Sequence, residues 1–428
     1  MKLFDVNTID ARQYSELTKR PAINFESTLT IVKPIVEDVK AGGIQSVLRY
    51  AQKFDKFVGT NLFVTKEEFA AAEMLLEERV KTALRTAYEN ISKFHVLEIP
   101  KTISVDTMEG ISCSREFRPI DNVGLYIPGG SAVLPSTVLM LGIPAQLAGC
   151  RRVVLSTPVK GNNIHPAVLY AAQLCGITEI IKAGGVQAIA LMAYGDKDFK
   201  KVDKIFGPGN QYVTAAKLFV SIDAAGCAID MPAGPSEVLV IADNTANPKF
   251  IAADLLSQAE HGKDSQVILV TTSPVLASAV ENELIGQLSL LPRKEIAEQA
   301  LSNSFTLLTN TLDEAIEFSN AYAPEHLILH IQEPTGYTND IINAGSVFLG
   351  AYSPESVGDY ASGTNHSLPT YGYARSFGGV SVESFMKTVT FQSLTKAGLQ
   401  NIASTVETLA EIEELAAHKN AVSIRLGK

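Results

Sequence analysis

The sequence of 428 residues lacks the features that mark several classes of protein. Its cysteines are Cys113, Cys150, Cys175 and Cys227. They are scattered without a CxxC pair, so we expect buried reduced thiols in a cytoplasmic protein, not a disulfide framework or a zinc ribbon. The formal net charge is -10, and no basic run is longer than Arg151-Arg152. Neither nucleic acid nor an anionic membrane surface is therefore an expected partner.

A secretory signal and a membrane span are also not expected. The first ten residues, MKLFDVNTID, include acidic side chains and have no apolar core. Residues 123–150 carry no charge, but Pro128, Pro135 and Pro144 interrupt them. The pieces are shorter than the roughly 20 apolar residues that a helix needs to cross a bilayer. We expect this segment to be buried in a soluble fold.

The composition is that of an ordinary globular chain, with 46% hydrophobic and 19% charged residues. The length suggests roughly three domains. From residue 122 onward, short apolar stretches alternate with helical patterns rich in Ala and Leu, as in VGLYIPGG, STVLMLGIPAQLAG and RRVVLSTP. This alternation predicts βαβ units and parallel sheets that are covered on both faces. The helix-then-strand order of residues 136–158 recurs in 251–274, which suggests a duplicated α/β half as a hypothesis.

Helical patterns occupy much of the remaining chain. They are a helical arm in 1–25, a helix in 27–50 that Gly42-Gly43 ends, two amphipathic helices in 66–97, and a tail from Val382 that is helical and charged around 405–419.

Three glycine-rich turns follow predicted strands: Pro128–Gly130, Gly184–Gln187 and Gly207–Asn210. Such turns lie at the carboxyl ends of the strands in an open parallel sheet, where glycine lets the backbone approach a phosphate group. No GxGxxG motif is present. Each turn by itself is therefore more typical of a simple tight turn than of a phosphate-binding loop.

One stretch, DLLSQAEHG, reads as the end of a helix, where Gln258 and His261 stand three apart on one face. A histidine there can simply complement the helix dipole. Together with Asp359 and His418, however, these two side chains would suit a divalent metal such as zinc. The sequence contains none of the usual closely spaced metal-binding motifs that would support the metal site.

A second candidate is Glu325-His326, which follows Pro324 and could act as a pair of proton acceptors. The alternative is a helix-capping Glu beside a packed His. His366 and Arg375 lie in a long polar loop that either closes over a ligand or only borders it.

Seven blocks resemble the ordered signature blocks of the histidinol dehydrogenase family. They are YIPGGSAVLPSTVLM, IFGPGNQYVTAAK, IDMPAGPSEVLVIAD, LLSQAEHG, APEHL, GDYASGTNHSLPT and AHKNAV, between residues 122 and 422. The resemblance implies an NAD-dependent, zinc-containing oxidoreductase of histidine biosynthesis, which oxidises L-histidinol twice, through an aldehyde, to L-histidine. It also implies an α/β fold of two incomplete Rossmann-like domains with parallel sheets and small helical extensions at both termini.

The resemblance assigns roles to individual residues. The zinc ligands would be Gln258, His261, Asp359 and His418. His326 would remove the hydroxyl proton, and Glu325 would activate the water that adds to the aldehyde. NAD contacts would fall on Tyr126, Gln187 and Asn210. The substrate contacts would be Ser236 and Glu413 together with Gln258, His261, His326, Asp359 and His418.

The resemblance also predicts how the chain is divided. Residues 26–120 with 236–380 would form the main domain carrying the metal and catalytic residues, 121–235 an inserted NAD-binding domain, and 1–25 with 381–428 a helical, dimer-exchanging extension. Members of the family are intertwined homodimers, so we expect His418 of the tail to complete the partner's site. A zinc hydrolase with Glu325 as base, or a silent binding protein of similar fold, stays an alternative that NADH release would exclude.

Overall fold

The computed structural model describes residues 1–20, 25–129, 133–159, 161–231 and 234–428. Gly130 of the first predicted glycine turn lies outside these ranges. The strands are β1 (Lys2–Asp5), β2 (Ile103–Met108), β3 (Ile111–Pro119), β4 (Asn122–Tyr126), β5 (Arg152–Ser156), β6 (Glu179–Ile181), β7 (Lys204–Phe206), β8 (Ala228–Ile229), β9 (Glu237–Ala242), β10 (Gln266–Thr271), β11 (Phe305–Leu308), β12 (His326–His330), β13 (Ser346–Leu349) and β14 (Met386–Leu394).

The helices are α1 (Ala11–Leu17), α2 (Phe25–Asp55), α3 (Lys66–Leu75), α4 (Glu78–His95), α5 (Pro135–Ala148), α6 (Pro166–Leu174), α7 (Gly185–Tyr194), α8 (Gln211–Ser221), α9 (Pro248–Ala259), α10 (Pro274–Leu288), α11 (Lys294–Ser302), α12 (Leu312–Tyr322), α13 (Glu355–Tyr360), α14 (Lys396–Ile412) and α15 (Ala416–Ser423). No helix in the described part of the chain is long and apolar enough to cross a membrane.

Two parallel sheets form the framework, as the sequence predicts. The large sheet has the order β1-β11-β10-β9-β12-β13, and the small sheet has the order β6-β5-β4-β7-β8. When β9–β13 and β4–β8 are each numbered from one in chain order, both sheets read 3-2-1-4-5, which is the order of an incomplete doubly wound fold. The shared order agrees with the hypothesis of a duplicated α/β half.

Both faces of the large sheet are covered, which explains its unbroken apolar strands. Successive side chains of a strand point to opposite faces. In β9, Val238 and Val240 accordingly pack into one core with α9 to α11, whereas Leu239 and Ile241 pack into another with α12. The small sheet shares a third core with α2 to α8. The predicted division of the chain into three domains stays a prediction.

A third sheet, β14-β3-β2, is antiparallel and is missing from the predicted element order. β14 pairs with β3 along nine residues, from Met386 opposite Pro119 to Leu394 opposite Ile111. The prediction that the tail is helical from Val382 is therefore wrong over β14 and correct over α14 and α15.

One further prediction needs correction, and another is confirmed. Lys2–Asp5 is not helical but pairs as an edge strand with β11. The prediction that Gly42-Gly43 ends a helix is confirmed: the backbone of Gly43 is non-helical, with a φ of 53° and a ψ of -139°, and it separates two helical segments within Phe25–Asp55. The amide of Ile44 then donates to Asp196 Oδ2 at 2.9 Å, so a side chain from another element caps the resumed helix.

Candidate active site

The predicted acid–base pair, Glu325 and His326, lies at the amino-terminal edge of the large sheet. α12 ends at Tyr322, and Ala323 adopts a left-handed φ of 55°. Pro324 has no amide hydrogen and cannot continue a helix. β12 then begins directly at His326, between β9 and β13. The side chains of Glu325 and His326 are both buried.

The Glu325 carboxylate is held by the backbone of β9, since the amide of Glu237 donates to Glu325 Oε2 at 2.8 Å. Burial raises the pKa of Glu325 to about 8, because a low-dielectric interior disfavours the charged form. The same oxygen lies 3.6 Å from His326 Nδ1. A carboxyl group with this pKa can accept and release a proton near neutral pH.

His326 Nδ1 faces two partners. The carbonyl oxygen of Glu237, at 3.0 Å, accepts when Nδ1 carries the proton. Nε2 of Gln258, at 2.9 Å, donates when it does not. The ring therefore keeps a hydrogen bond in either tautomer. His326 Nε2 is buried, has no hydrogen-bond partner among the described residues and lies 3.5 Å from Asp359 Oδ1. This nitrogen is placed to exchange a proton with a ligand.

Charges around the ring decide its protonation. Burial lowers the pKa of His326, but the negative charges of Glu325, Asp359 and Glu355 outweigh burial and raise that pKa to about 10. Burial raises the pKa of Asp359, but the attraction of His326 outweighs it and holds that pKa below its usual range. A divalent cation beside Asp359 would compete with this proton for the same carboxylates.

The end of α9 brings a predicted metal ligand to the cluster. Gln258 Nε2 contacts His326 Nδ1 and also donates to Glu355 Oε2 at 3.2 Å. Gln258 Oε1 is buried and has no hydrogen-bond partner in the described chain. His261 lies at the exposed rim, within the field of Asp359. The carboxyl end of a helix carries partial negative charge, which favours a cation.

α13 contributes a face with two carboxylates, Glu355 and Asp359, which stand four residues apart and so lie on one side of the helix. Glu355 is buried, and burial raises its pKa to about 7. His366 Nδ1 donates to the backbone oxygen of Asp359 at 2.8 Å. His366 is thus tied to the last turn of α13, whereas Arg375 is exposed and bonds to the carbonyl of Ala321.

The side chains of Gln258, His261 and Asp359 would suit a zinc ion that takes its fourth ligand from outside this chain. Gln258 and Asp359 both contact His326, and His261 lies within the field of Asp359. The three side chains offer an amide oxygen, an imidazole and a carboxylate, and the last two are usual zinc ligands. Within the described ranges, no group of three or more His, Cys, Asp or Glu side chains could hold a metal. Two such side chains plus one amide are what this chain supplies.

The tail residues do not join them. Glu413 and His418 are exposed, His418 on α15, which packs against α14. Neither side chain makes a hydrogen bond or an ion pair to the cluster in the part of the chain described here. Ser236 lies directly before Glu237, at the base of the cluster.

Sequence reasoning missed two buried carboxylates, Glu237 and Glu355. Glu237 forms a bidentate ion pair with Arg20, with Nε–Oε1 at 2.9 Å and a second nitrogen–oxygen contact at 2.7 Å. The Arg20 guanidinium also lies 3.4 Å from the centre of the Tyr322 ring. A glutamate in the apolar strand EVLVIA, and the four-residue spacing of Glu355 and Asp359, are the signals that could have found them.

A cavity of about 780 Å³ lies at the carboxyl ends of the small sheet's strands. All three predicted NAD contacts, Tyr126, Gln187 and Asn210, line it. The Tyr126 hydroxyl accepts from the amide of Gly185 at 3.0 Å, and burial raises the pKa of Tyr126 to about 12. The cavity lies where open parallel sheets generally bind ligands, at the carboxyl ends of their strands.

Comparison with known proteins gives consistent matches over nearly the whole chain. A family model described as histidinol dehydrogenase matches residues 18–426. Histidinol dehydrogenase of Bacteroides thetaiotaomicron is 54% identical over 415 residues, covering 97% of this chain and 96% of that protein. The chloroplastic histidinol dehydrogenase of Arabidopsis thaliana is 53% identical over 428 residues, covering 100% and 91%. The crystal structure of histidinol dehydrogenase from Elizabethkingia anophelis has a TM-score of 0.95 at 52% identity, covering 100% of this chain and 98% of that one.

Proposed function

The chain belongs to the histidinol dehydrogenase family, and we propose that the cluster around His326 is the site at which it oxidises L-histidinol to L-histidine in histidine biosynthesis. The observation that carries this assignment is the Nε2 atom of His326, which is buried beside Asp359 and Gln258 and has no hydrogen-bond partner among the described residues. NAD, when bound, accepts one hydride in each of the two oxidations.

In the first oxidation, His326 Nε2 takes the hydroxyl proton. The neutral ring that this requires would be favoured by a cation beside Asp359, which offsets the carboxylate charges that raise the pKa of His326. Glu237 supports this role, because its carbonyl accepts the Nδ1 proton and leaves Nε2 free. The imidazolium that forms is stabilised by the carboxylates of Glu325 and Asp359. Proton removal by a positioned histidine contributes about 10²- to 10⁴-fold to a rate.

In the second oxidation, Glu325 takes a proton from the water that adds to the aldehyde. Its raised pKa suits a base that must accept a proton and later give it up. The hydrogen bond from the Glu237 amide leaves Glu325 Oε1 for the water.

Gln258, His261 and Asp359 would hold a zinc ion, and His418 of a second chain would complete the set. Zinc, when bound, supplies a Lewis-acidic template for the nitrogen atoms of the substrate. Ser236 and Glu413 would contact the substrate beside the same ligands. Tyr126, Gln187 and Asn210 would contact NAD in the cavity of the small sheet.

A homodimer accounts for the exposed tail. Leu409, Ile412 and Leu415 of the tail are 54%, 73% and 41% exposed in the single chain. An apolar surface of this kind is typical of an interface between subunits. We infer that a second copy covers it and receives Glu413 and His418 in its own site. The free cysteines fit a reducing, cytoplasmic location.

The direct test supplies purified protein with histidinol and NAD and counts NADH. The proposal expects two NADH for each histidinol consumed; an absence of NADH with this substrate would refute it.

In His326→Ala, we expect oxidation of the alcohol to fall by about 10²-fold or more, while elemental analysis still finds zinc. Loss of zinc from this variant would mean that His326 serves the metal and not the proton.

A further inference from the structure

We propose that Glu355 is a positioning residue that fixes the amide of Gln258 with its oxygen turned toward the metal position. This inference rests on the zinc assignment in the proposed function. Glu355 is 1% exposed and lies on the face of α13 that also carries Asp359. One helix would thus deliver a metal ligand and orient a second one.

A glutamine amide can lie in two orientations, and only its oxygen binds zinc. Gln258 Nε2 lies 3.2 Å from Glu355 Oε2. A carboxylate only accepts hydrogen bonds, so the amide atom facing it must be the nitrogen. The flipped amide would place its oxygen against the carboxylate and its N–H groups toward a cation, and both contacts are unfavourable.

Glu355 is itself fixed before any ligand arrives. Ser257 Oγ donates to Glu355 Oε1 at 2.6 Å. The carboxylate thus bridges two consecutive residues of α9 and packs the start of α13 against the end of that helix. Because the carboxylate has little freedom to rotate, it holds the Gln258 nitrogen in one direction.

The orientation leaves an acceptor that needs a partner. Gln258 Oε1 is buried without a hydrogen bond among the described residues. A buried acceptor in this state is destabilising unless a donor or a cation satisfies it. The contact with Glu355 therefore keeps a ligand atom ready at a position where the free protein makes no use of it.

The test measures zinc affinity of the metal-stripped full chain by competition with a chromogenic chelator. Glu355→Met replaces both carboxylate oxygens by a thioether of similar size that is only a weak acceptor, and we expect it to weaken zinc binding by about ten- to hundredfold. Glu355→Gln keeps an amide oxygen for the Gln258 nitrogen, so its affinity should stay close to that of the parent. Asp254→Asn is the matched control, because it removes a buried carboxylate that makes no hydrogen bond to Gln258.

Three outcomes overturn the inference. They are parental zinc affinity in Glu355→Met, equal losses in Glu355→Gln and Glu355→Met, and a loss in Asp254→Asn as large as that in Glu355→Met. Gln258→Ala distinguishes failure of this inference from failure of the zinc assignment. If this variant leaves zinc affinity unchanged, the zinc assignment itself fails.

Two further measurements do not depend on catalysis. The visible spectrum of the cobalt(II)-loaded protein reports the ligand set, and we expect it to change in Glu355→Met but not in Asp254→Asn. A crystal structure of the zinc-loaded parent needs no variant. If zinc in that structure did not contact the Gln258 amide on the side away from Glu355, the inference would be refuted even if Glu355→Met did not fold.

Discussion

At the residue scale, the site is governed by an excess of buried carboxylates. Glu325, Glu355 and Asp359 surround His326, and Glu237 lies directly behind it with Arg20 as its counter-ion. Burial of so many acids is destabilising unless cations or protons compensate them. This arrangement explains why Glu325 and Glu355 both have raised pKa values while Asp359, which faces His326, does not.

Glu325→Gln tests the water-activating role. The variant keeps an acceptor for the Glu237 amide, so its fold should survive, but it cannot take a proton. We expect the oxidation of supplied aldehyde to fall by about 10²-fold or more, and alcohol oxidation to fall less. In the parent, the aldehyde step should also slow as the pH falls below about 8, because the carboxyl group becomes protonated. A second step that runs at the parental rate in the variant would rule out this role.

Asp254 gives a pH-dependent prediction about stability. Burial raises the pKa of Asp254 from 3.8 to about 7. The folded state thus holds a proton that the unfolded chain releases, and the associated stability is lost as the pH rises from about 4 to 7. Asp254→Asn has no such loss. Its gain in unfolding free energy over the parent, both metal-free in denaturant titrations, should be larger at pH 8 than at pH 5. An equal gain at both values would show that Asp254 does not carry this proton.

At the element scale, α13 approaches β13 more closely than a side chain would permit. A Cβ at Gly358 would lie 2.6 Å from Phe348 Cε1. Gly358→Ala should therefore push α13 outward and move Glu355 and Asp359 away from α9. We expect a loss of about 1–3 kcal/mol in unfolding free energy, together with weaker zinc binding in the chelator assay.

Gly286→Ala is the control for this change. Gly286 is exposed inside α10, and a Cβ there would meet no atom within 4 Å. Alanine should stabilise the helix by about 0.5–1 kcal/mol without altering zinc binding. If both alanine variants bind zinc equally well, the close packing of α13 is not required for the site.

The elements that the sequence predicts well are those with a strong local pattern. HLILHI and GSVFLG each contain a short run of apolar residues, LIL and VFL, in a covered parallel sheet, and they form β12 and β13. The sequence does not predict β14, because the helical pattern of residues 405–419 dominates the tail and the strand partner of β14 lies far away, in residues 111–119. The glycine pair predicts the break at Gly42-Gly43, but it does not predict the cap of the helical segment that follows, because that cap comes from Asp196, more than a hundred positions away.

The residues of the site divide in the same way, into those with a strong local pattern and those whose role depends on tertiary contacts. His261, His326 and Asp359 carry reactive side chains in recognisable blocks, and the fold brings them together. Glu355 and Glu237 act through hydrogen bonds to neighbours far along the chain. The apolar strand after Glu237 and the four-residue spacing of Glu355 and Asp359 hint at burial, but only the tertiary structure shows which groups the two glutamates contact.

At the scale of the whole molecule, the two sheets share one strand order but use opposite edges. The small sheet opens its cavity at the carboxyl ends of its strands, whereas the large sheet gathers its acids at the amino ends. The helix that returns from β9 to β10 brings Gln258 to that amino edge, because α9 runs antiparallel to both strands and ends beside the start of β10.

Mixed dimers test whether each site uses two chains. His326→Ala has an intact tail, and His418→Ala has an intact acid–base pair. If the tails are exchanged, one site in a mixed dimer carries neither change. Refolding equal amounts together should restore about a quarter of parental activity, since half of the dimers are mixed and each has one good site. Activity that stays at the level of the separate variants would show that His418 serves its own chain.

The ladder between β14 and β3 has a consequence for limited proteolysis. Ser376–Gly378 is exposed and follows Arg375, so trypsin has access to the backbone there. The downstream piece would still be bound through nine paired residues. A nicked sample should therefore elute from a sizing column as one particle and separate into two bands only in detergent.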